Sequence, residues 1–504
     1  MDLHAAAADP GLSHAPRAGI VDLGSNSVRL VVFEGWGRNP LAIFNEKAVL
    51  GLGRGLQNTG RLNEEAVPQA LTVMARYHAV ARGMGASPLE VLATAAVRDA
   101  ENGPAFAAAL AERMPGVPIR ILEGEEEAAL SAEGVLLGFS EADGILGDLG
   151  GGSLELVELN QGRSGASASL PLGAIRLADR AGGDVTRARA IAEEEMARLP
   201  WLAHGKDRDL YLVGGAWRAL AKIHIAQTAY PLSIVHHYVL RREEARDLCG
   251  LIMAATRRTL ERLPGAPSKR LQDLPFAATA LRRLLRATGA RRVVFSANGL
   301  REGWYARQLP VSVRRQDPLL CAGREMGGRY GRDTALPGTL FAWTAPLFPG
   351  ETAAAAALRE AACWLSDIGS HDHPDYRAEQ SFLRVLRQPG IGLDHHERAF
   401  LALVVALRYE PELDAPWLAT ARTLLDGASQ RRAEVLGEGL RLAYTLSGGT
   451  PALLAGATLA VEKDRLVLRL VEGTGLFAGD AVQRRVESLA ATLGLMAVVE
   501  VAAG

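Results

Sequence analysis

Asp148-Leu149-Gly150-Gly151-Gly152-Ser153-Leu154-Glu155 follows an apolar run, Gly144-Ile145-Leu146-Gly147, and leads into an alternating one through Leu154, Leu156 and Leu159. The pattern predicts a strand, a very tight glycine turn and a second strand. Glycines in such a turn allow positive φ and let bare backbone N–H groups come close to a ligand. Phosphate is the commonest anion to need such a turn. The flanking acids, Asp148 and Glu155, suit a phosphate only if a divalent cation stands between them, so the local chemistry reads as phosphate plus metal. Taken alone, the stretch is equally a plain glycine-rich β-turn.

A second copy argues against that plainer reading. Asp22-Leu23-Gly24-Ser25-Asn26-Ser27 follows the apolar Ile20-Val21 and precedes Val28, Leu30, Val31, Val32 and Phe33. Both stretches share Asp-Leu-Gly-x-x-Ser in the same strand context. Two copies of one phosphate hairpin imply two similar lobes facing each other across a cleft.

Length and composition set the frame. A chain of 504 residues is too long for one core and predicts three or four domains. With 48% apolar and 22% charged residues the balance is that of an ordinary globular protein. A net charge of −1 gives no global attraction for nucleic acid or an anionic membrane, so any polyanion site must be a local basic patch. Cys249, Cys321 and Cys363 are scattered without metal-ligand spacing, which predicts a reduced, cytoplasmic protein. Residues 1–17 lack a basic start and an apolar centre and read as a disordered tail rather than a signal peptide. The longest apolar stretches, such as Phe400 to Leu407, are too short to span a bilayer.

Periodicity places lobe I at 18–140 and lobe II at 141–310. Each opens with its hairpin and continues into alternating helices and strands. The loop Gly51-Leu52-Gly53-Arg54-Gly55 carries a lone arginine. Two long Arg-rich helices are expected at Arg242–Leu263 and Leu271–Ala287, read as mostly solvated faces. Residues 311–447 read as almost all helical apart from loops at Pro337, Pro349 and Pro389-Gly390. Residues 448–504 read as a small α/β element.

Glu123-Gly124-Glu125-Glu126-Glu127 opens a helix directly before the second hairpin. Acids at a helix start suit the macrodipole. The position of the run means it also lines the cleft, where a carboxylate can act as general base for an attacking water. Asp22 to Ser27, Glu126-Glu127-Ala128, Asp148 to Ser153 with Glu155, and Leu300-Arg301-Glu302-Gly303, in that order, resemble the exopolyphosphatase/guanosine pentaphosphate phosphatase family. The likeness covers about residues 18–310 strongly and the helical region more loosely.

The resemblance implies an α/β fold of two actin-like ATPase (ribonuclease H-like) lobes around a cleft, followed by an all-helical HD-like domain. It implies Glu127 as the base that activates water, with Asp148 and Glu155 also catalytic. Asp22, Asp148 and Glu155 are expected to hold Mg²⁺, or Mn²⁺ in its place. The expected phosphate-binding residues are Gly24, Ser25, Asn26, Ser27, Thr94, Arg98, Asn102, Gly150, Gly151, Gly152 and Ser153. The implied reaction is release of orthophosphate from the end of inorganic polyphosphate. The alternative substrate is guanosine pentaphosphate (pppGpp), with ppGpp as a related ligand. An actin-like kinase or ATPase and a non-catalytic alarmone binder are the readings from other classes. A homodimer is the expected assembly.

The sequence departs from the family pattern at three places. Ala129 stands where arginine often follows Glu-Glu-Ala, which either weakens phosphate binding at that spot or shifts it to Arg54 or Arg98. Trp217 after Gly214-Gly215-Ala216 argues against a nucleotide at that loop. In the helical domain Ser366-Asp367 replaces His-Asp, which predicts a degenerate metal site with His371, His373, His395 and His396 on the surface or as caps.

Overall fold

The computed structural model describes residues 15–389, 392–473, 476 and 478–502. Most of the 1–17 tail and the loop at Gly390 therefore lie outside the described residues. Arg17 is already the first residue of a strand, paired with Glu34. The chain divides into two compact units: one runs to Thr228 and includes Val239–Arg314, and the other joins Ala229–Tyr238 to the chain from Arg315 onward.

The first unit contains two sheets. The first sheet has strands β1 (Arg17–Leu23), β2 (Ser27–Glu34), β3 (Leu41–Val49), β4 (Ala86–Ala93) and β5 (Ile119–Ile121), in the order β3-β2-β1-β4-β5. The second has β6 (Gly144–Leu149), β7 (Leu154–Asn160), β8 (Arg163–Leu170), β9 (Asp209–Val213), β10 (Val239–Arg241) and β11 (Arg292–Phe295), in the order β10-β11-β9-β6-β7-β8. Read from β8, the second sheet repeats the first and adds one antiparallel edge strand. In each, the first strand pairs antiparallel with the second and parallel with the fourth in its own chain order. This is the two-lobed arrangement that the duplicated hairpin implies.

The central strands are buried on both faces, so their apolar runs are nearly continuous rather than alternating. Val21, Leu23 and Leu30 meet Ala70, Met74 and Tyr77 of helix Ala66–Gly83 in the first core. Gly147 on β6 makes room for Trp217, since a Cβ there would lie 3.0 Å from the indole ring.

Helix Gly124–Gly138, expected with lobe I, packs on the second sheet instead. Its Ala128, Ala132 and Val135 share a core with Leu146, Val157 and Tyr211. Helix Leu300–Gln308 reaches the other way. Tyr305 stacks on Trp36 at 5.5 Å and its hydroxyl donates to Gly37 O at 3.0 Å, while Trp304 Nε1 donates to Glu90 at 2.5 Å. The two helices cross with glycine on both sides: a Cβ on Gly134 would collide with the Gly299 carbonyl, and one on Gly303 with the Leu130 carbonyl. The lobes are thus joined by crossed helices at backbone contact.

The expected helix Arg242–Leu263 is two helices, Arg242–Ala254 and Arg257–Arg262. Ala255 is extended, and the Thr256 side chain accepts from Thr259 N–H to cap the second. Helix Leu274–Thr288 is not simply solvated, because Arg283 is buried.

In the second unit, helix His395–Arg408 runs through the centre, buried from Ala399 to Leu407. The sheet β12 (Ala457–Glu462), β13 (Arg465–Val471) and β14 (Met496–Ala502) contributes Leu459, Leu466 and Leu468 to the same core. No break in packing falls at 447/448, because one apolar cluster spans it. Ala229–Tyr238, expected in lobe II, also belongs here: Tyr230 OH meets His395 Nδ1 at 2.9 Å, and His395 Nε2 meets His236 O at 2.9 Å. His395 is therefore a buried tie rather than a surface histidine. No helix among the described residues is long and apolar enough to cross a membrane.

The helix crossing gives a direct stability test. Gly303→Ala should destabilise the protein by about 3 kcal/mol, since neither backbone can yield without separating the helices. Urea unfolding measures the loss, and Gly328→Ala, with open space around its Cβ, serves as the neutral control.

Candidate active site

The two hairpins line one cavity of about 970 Å³, counting its open mouth. Their turns have the same build: Gly24 N–H donates to Ser27 O at 3.1 Å, and Gly150 N–H to Ser153 O at 3.0 Å. None of Gly24, Gly150, Gly151 and Gly152 has positive φ. The glycines are needed for closeness instead. A Cβ on Gly151 would lie 3.1 Å from Ser25 Cβ, and one on Gly152 would lie 2.7 Å from Ser25 Oγ. The turns therefore meet each other across the cleft.

Each turn is anchored through its carbonyls. Ser25 O accepts from Gly53 N–H at 2.8 Å, and Asn26 O from Leu50 and Gly51 at 3.0 Å. Gly150 O and Gly151 O accept from the first amides of helix Ala174–Arg180, at 3.0 Å. With the carbonyls engaged, the amides are what each turn has to offer an anion.

Sheet register then sets the chemistry on either side. In the first lobe Asp22 pairs with Arg29, and Arg29 with Lys47. In the second lobe Asp148 pairs with Glu155, and Glu155 with Ser169. The same three positions are thus acid–base–base in one lobe and acid–acid–hydroxyl in the other.

The acidic side gathers Glu127, Asp148 and Glu155. Glu155 is 1% exposed and accepts from Ser169 Oγ at 3.0 Å, while Ser131 Oγ donates to Asp148. Glu127 is 8% exposed, and its Oε2 has no hydrogen-bond partner, though Arg98 NH1 stands 3.7 Å away. Burial, then the charges of Glu155 and Asp148, push the Glu127 carboxyl well above the usual carboxylate range. Burial and Asp148 push Glu155 up to about 7. Burial also raises Asp148. The acids oppose one another's ionisation across low-dielectric protein.

The opposite wall holds Arg29, Lys47, Arg218, Arg270 and Arg301. Burial, followed by Arg270, Arg29 and Arg218, brings the Lys47 ammonium down to about 7. Burial, then Arg301 and Arg29, lowers Arg218 to about 10. Two acids stand among them: Asp22, 3.9 Å from Arg301 Nε, and Asp273, whose charge acts on Arg270. Five cations crowded at one end of a cavity form a site for a polyanion. Among the described residues no aromatic ring lines it.

The structure brings Asp22, Gly24 to Ser27, Thr94, Glu127, Asp148 and Gly150 to Ser153 to this cavity. Glu155 stands behind Asp148 and Arg98 beside Glu127. Asn102 is not part of the site: its Oδ1 accepts from Leu62 N–H at 2.8 Å, a scaffold contact. Arg54 does not line the cavity; its guanidinium stands 3.7 Å from Asp273, which does. Trp217 does not face the loop. It is fully buried and its Nε1 donates to Ala277 O at 2.9 Å, so it obstructs nothing there. Arg270 stands at that loop instead, close enough that a Cβ on Gly215 would meet its Cζ at 2.8 Å.

Sequence reasoning missed most of the cationic wall. Arg29 and Lys47 could have been found by extending the hairpin repeat, since Arg29 follows Asp22 by the spacing that separates Glu155 from Asp148. Arg218 and Arg270 left no local signal.

In the second unit, Asp367 is bound by Arg332 through Nε at 3.0 Å and NH2 at 2.9 Å, with Ser370 alongside. Its carboxylate is held low by that arginine and the serine against the cost of burial. His396 meets Ser429 Oγ at 2.9 Å. Among the described residues no group of three His, Cys, Asp or Glu side chains is close enough to hold a metal on its own.

Residues 31–311 match the Ppx/GppA phosphatase family, and residues 327–499 match the exopolyphosphatase C-terminal family. Exopolyphosphatase 2 of Mycobacterium tuberculosis is 28% identical over 260 residues, spanning 48% of this chain and 81% of that protein. Exopolyphosphatase 1 of the same organism is 28% identical over 308 residues, spanning 58% and 88%. The crystal structure of an exopolyphosphatase from Cytophaga hutchinsonii, at 22% identity, covers 58% of this chain and 99% of that one with a TM-score of 0.53. An exopolyphosphatase-like protein at 23% identity covers 59% and 98% with a TM-score of 0.52. With the family match covering residues 31–311, more than half of the chain, the chain belongs to the Ppx/GppA phosphatase family.

Proposed function

We propose that this protein hydrolyses the terminal phosphoanhydride bond of inorganic polyphosphate and releases orthophosphate. The observation that carries this reading is the charge of the cavity lining, which brings Glu127 and Asp148 together with Arg29, Lys47, Arg218, Arg270 and Arg301 around two amide-bearing turns. A chain of phosphates has negative charge along its whole length and suits the cationic wall. A guanine base would find no ring to stack on among the lining residues.

In this reading Glu127 Oε2 accepts the proton of the attacking water, being buried beside the cleft and free of hydrogen bonds. The water oxygen bonds to the terminal phosphorus as the bridging P–O bond breaks, and the electron pair leaves with the shortened chain. The hairpin amides bind the phosphate oxygens, and Arg98 orients Glu127. Such a reaction needs positioning and charge stabilisation and no covalent nucleophile.

A divalent cation, Mg²⁺ or Mn²⁺, would be held by Asp148 and Glu155 with Asp22 opposite. Burial and the charge of Asp148 raise both Glu127 and Glu155, and these raised acids with the unpartnered Glu127 oxygen fit a missing positive charge. Mg²⁺ commonly takes one or two carboxylates and completes its shell with water and substrate phosphates, so a closed protein cage is not required. When bound, the cation supplies neutralisation of phosphate oxygens.

Phosphate release from long-chain polyphosphate with Mg²⁺, measured beside pppGpp and ATP, tests the reading. Polyphosphate should be the fastest substrate, and Glu127→Gln should lower its kcat about a hundredfold or more. Faster release from pppGpp would move the assignment to the alarmone, and an unimpaired mutant would remove Glu127 as the base.

The raised acids also predict a pH effect on stability. Below about 4.5 Glu155 is protonated folded and unfolded, so its burial is harmless. As pH rises from about 4.5 to about 7, the unfolded state gives up this proton while the folded state keeps it, and stability is lost until the buried carboxyl ionises as well. In EDTA the thermal midpoint should fall between pH 5 and pH 8 by about 3 °C more in the unmodified protein than in Glu155→Gln. Adding Mg²⁺ should recover the midpoint at pH 8 and have little effect at pH 5.

A further inference from the structure

The rim of the cleft next to Glu127 carries a chain of charge-assisted contacts from one lobe to the other. Arg176 lies in helix Ala174–Arg180, the helix whose first amides hold the second hairpin. Its NH2 donates to Asp99 Oδ2 at 2.5 Å. Asp99 ends helix Ala95–Asp99 of the first lobe, so this bond crosses the cleft. The other oxygen of Asp99 accepts from Arg98 Nε at 3.1 Å. Arg98 NH1 donates to Leu122 O at 2.9 Å and stands 3.7 Å from Glu127 Oε2.

Asp99 thus lies between two guanidinium groups that would otherwise repel each other across the cleft. It can orient both only while the lobes are together. The same rim has two more contacts between lobes: Gly55 N–H donates to Asp179 Oδ2 at 3.1 Å, and Arg54 stands 3.7 Å from Asp273. The lone arginine of the glycine loop is therefore part of a closure seam. Charge-assisted bonds of this kind are short and directional, and they fix an arginine's plane as well as its place. A group that completes its geometry only on closure links commitment of the substrate to chemistry.

We propose that Asp99 and Arg176 are positioning residues that couple closure of the two lobes to the aim of Glu127, with Arg98 as the link. The proposal rests on the reading of Glu127 as the base. Neither residue lines the cavity, so their effect falls on turnover rather than on substrate binding.

Steady-state kinetics with long-chain polyphosphate and Mg²⁺, together with amide hydrogen exchange in the absence of substrate, test it. Arg176→Gln and Asp99→Asn should each lower kcat about tenfold while KM stays within about twofold, as expected for a misaimed group. The double variant should be no worse than Asp99→Asn alone, and Arg176→Lys should recover part of the loss. In a Glu127→Gln background, Arg176→Gln should lower the remaining activity no further. A full tenfold loss in that background, or a raised KM at unchanged kcat, would overturn the proposal. Exchange at residues 50–60 and 95–100 should be faster in Arg176→Gln than in the unmodified protein, and unchanged exchange would also overturn it. Failure of the unmodified protein to release phosphate from polyphosphate would sink the functional reading. The exchange arm would still decide whether Asp99 ties the lobes.

Discussion

Two glycine turns, one from each lobe, meet backbone against backbone, and the site depends on that closeness. Gly151 and Gly152 lie so near Ser25 that any side chain would separate the hairpins. Separation would carry the carboxylates of one sheet away from the cations of the other. The crossed helices behind the cleft obey the same constraint, since Gly134 and Gly303 allow contact between carbonyl and helix axis. Absence of a Cβ is therefore what holds the lobes at working distance at both places.

That distance creates an electrostatic load. Buried acids raise one another's pKa on one side, while buried cations depress Lys47 and Arg218 on the other. Neither group neutralises the other fully: Arg218 and Arg301 act on Asp148, but burial still raises it, and Arg29 and Lys47 stand on the other sheet. A phosphate chain with a divalent cation would satisfy both walls, its oxygens toward the arginines and its metal toward the acids. The protein is stable with the load because it is confined to one cavity, while each sheet keeps its own apolar core.

The helical unit handles its polar groups differently. Asp367, at the expected degenerate metal site, is closed off by Arg332 and Ser370, and His395 is spent on Tyr230 and the His236 carbonyl. Those groups are satisfied within the fold, whereas Glu127 Oε2 in the cleft is not.

Much of this was readable from local pattern. Asp-Leu-Gly-x-x-Ser between apolar runs, twice, specifies the hairpins, the repeated lobes and the acids Asp22 and Asp148, because turns and strand alternation follow from short-range sterics. Glu127, among its neighbouring acids, was singled out by the resemblance to the family. Asn102, Arg54 and Trp217 were misread because the atoms that claim them, Leu62 N–H, Asp273 and Ala277 O, come from other parts of the chain. The helix Gly124–Gly138 was assigned to the wrong lobe for a like reason, since sequence order does not say which sheet an apolar face will cover. Only the tertiary structure assembled Arg29, Lys47, Arg218, Arg270 and Arg301 into one wall and placed Arg176 on Asp99. Charge acts through space, and these residues become neighbours only when register and packing have folded distant segments together.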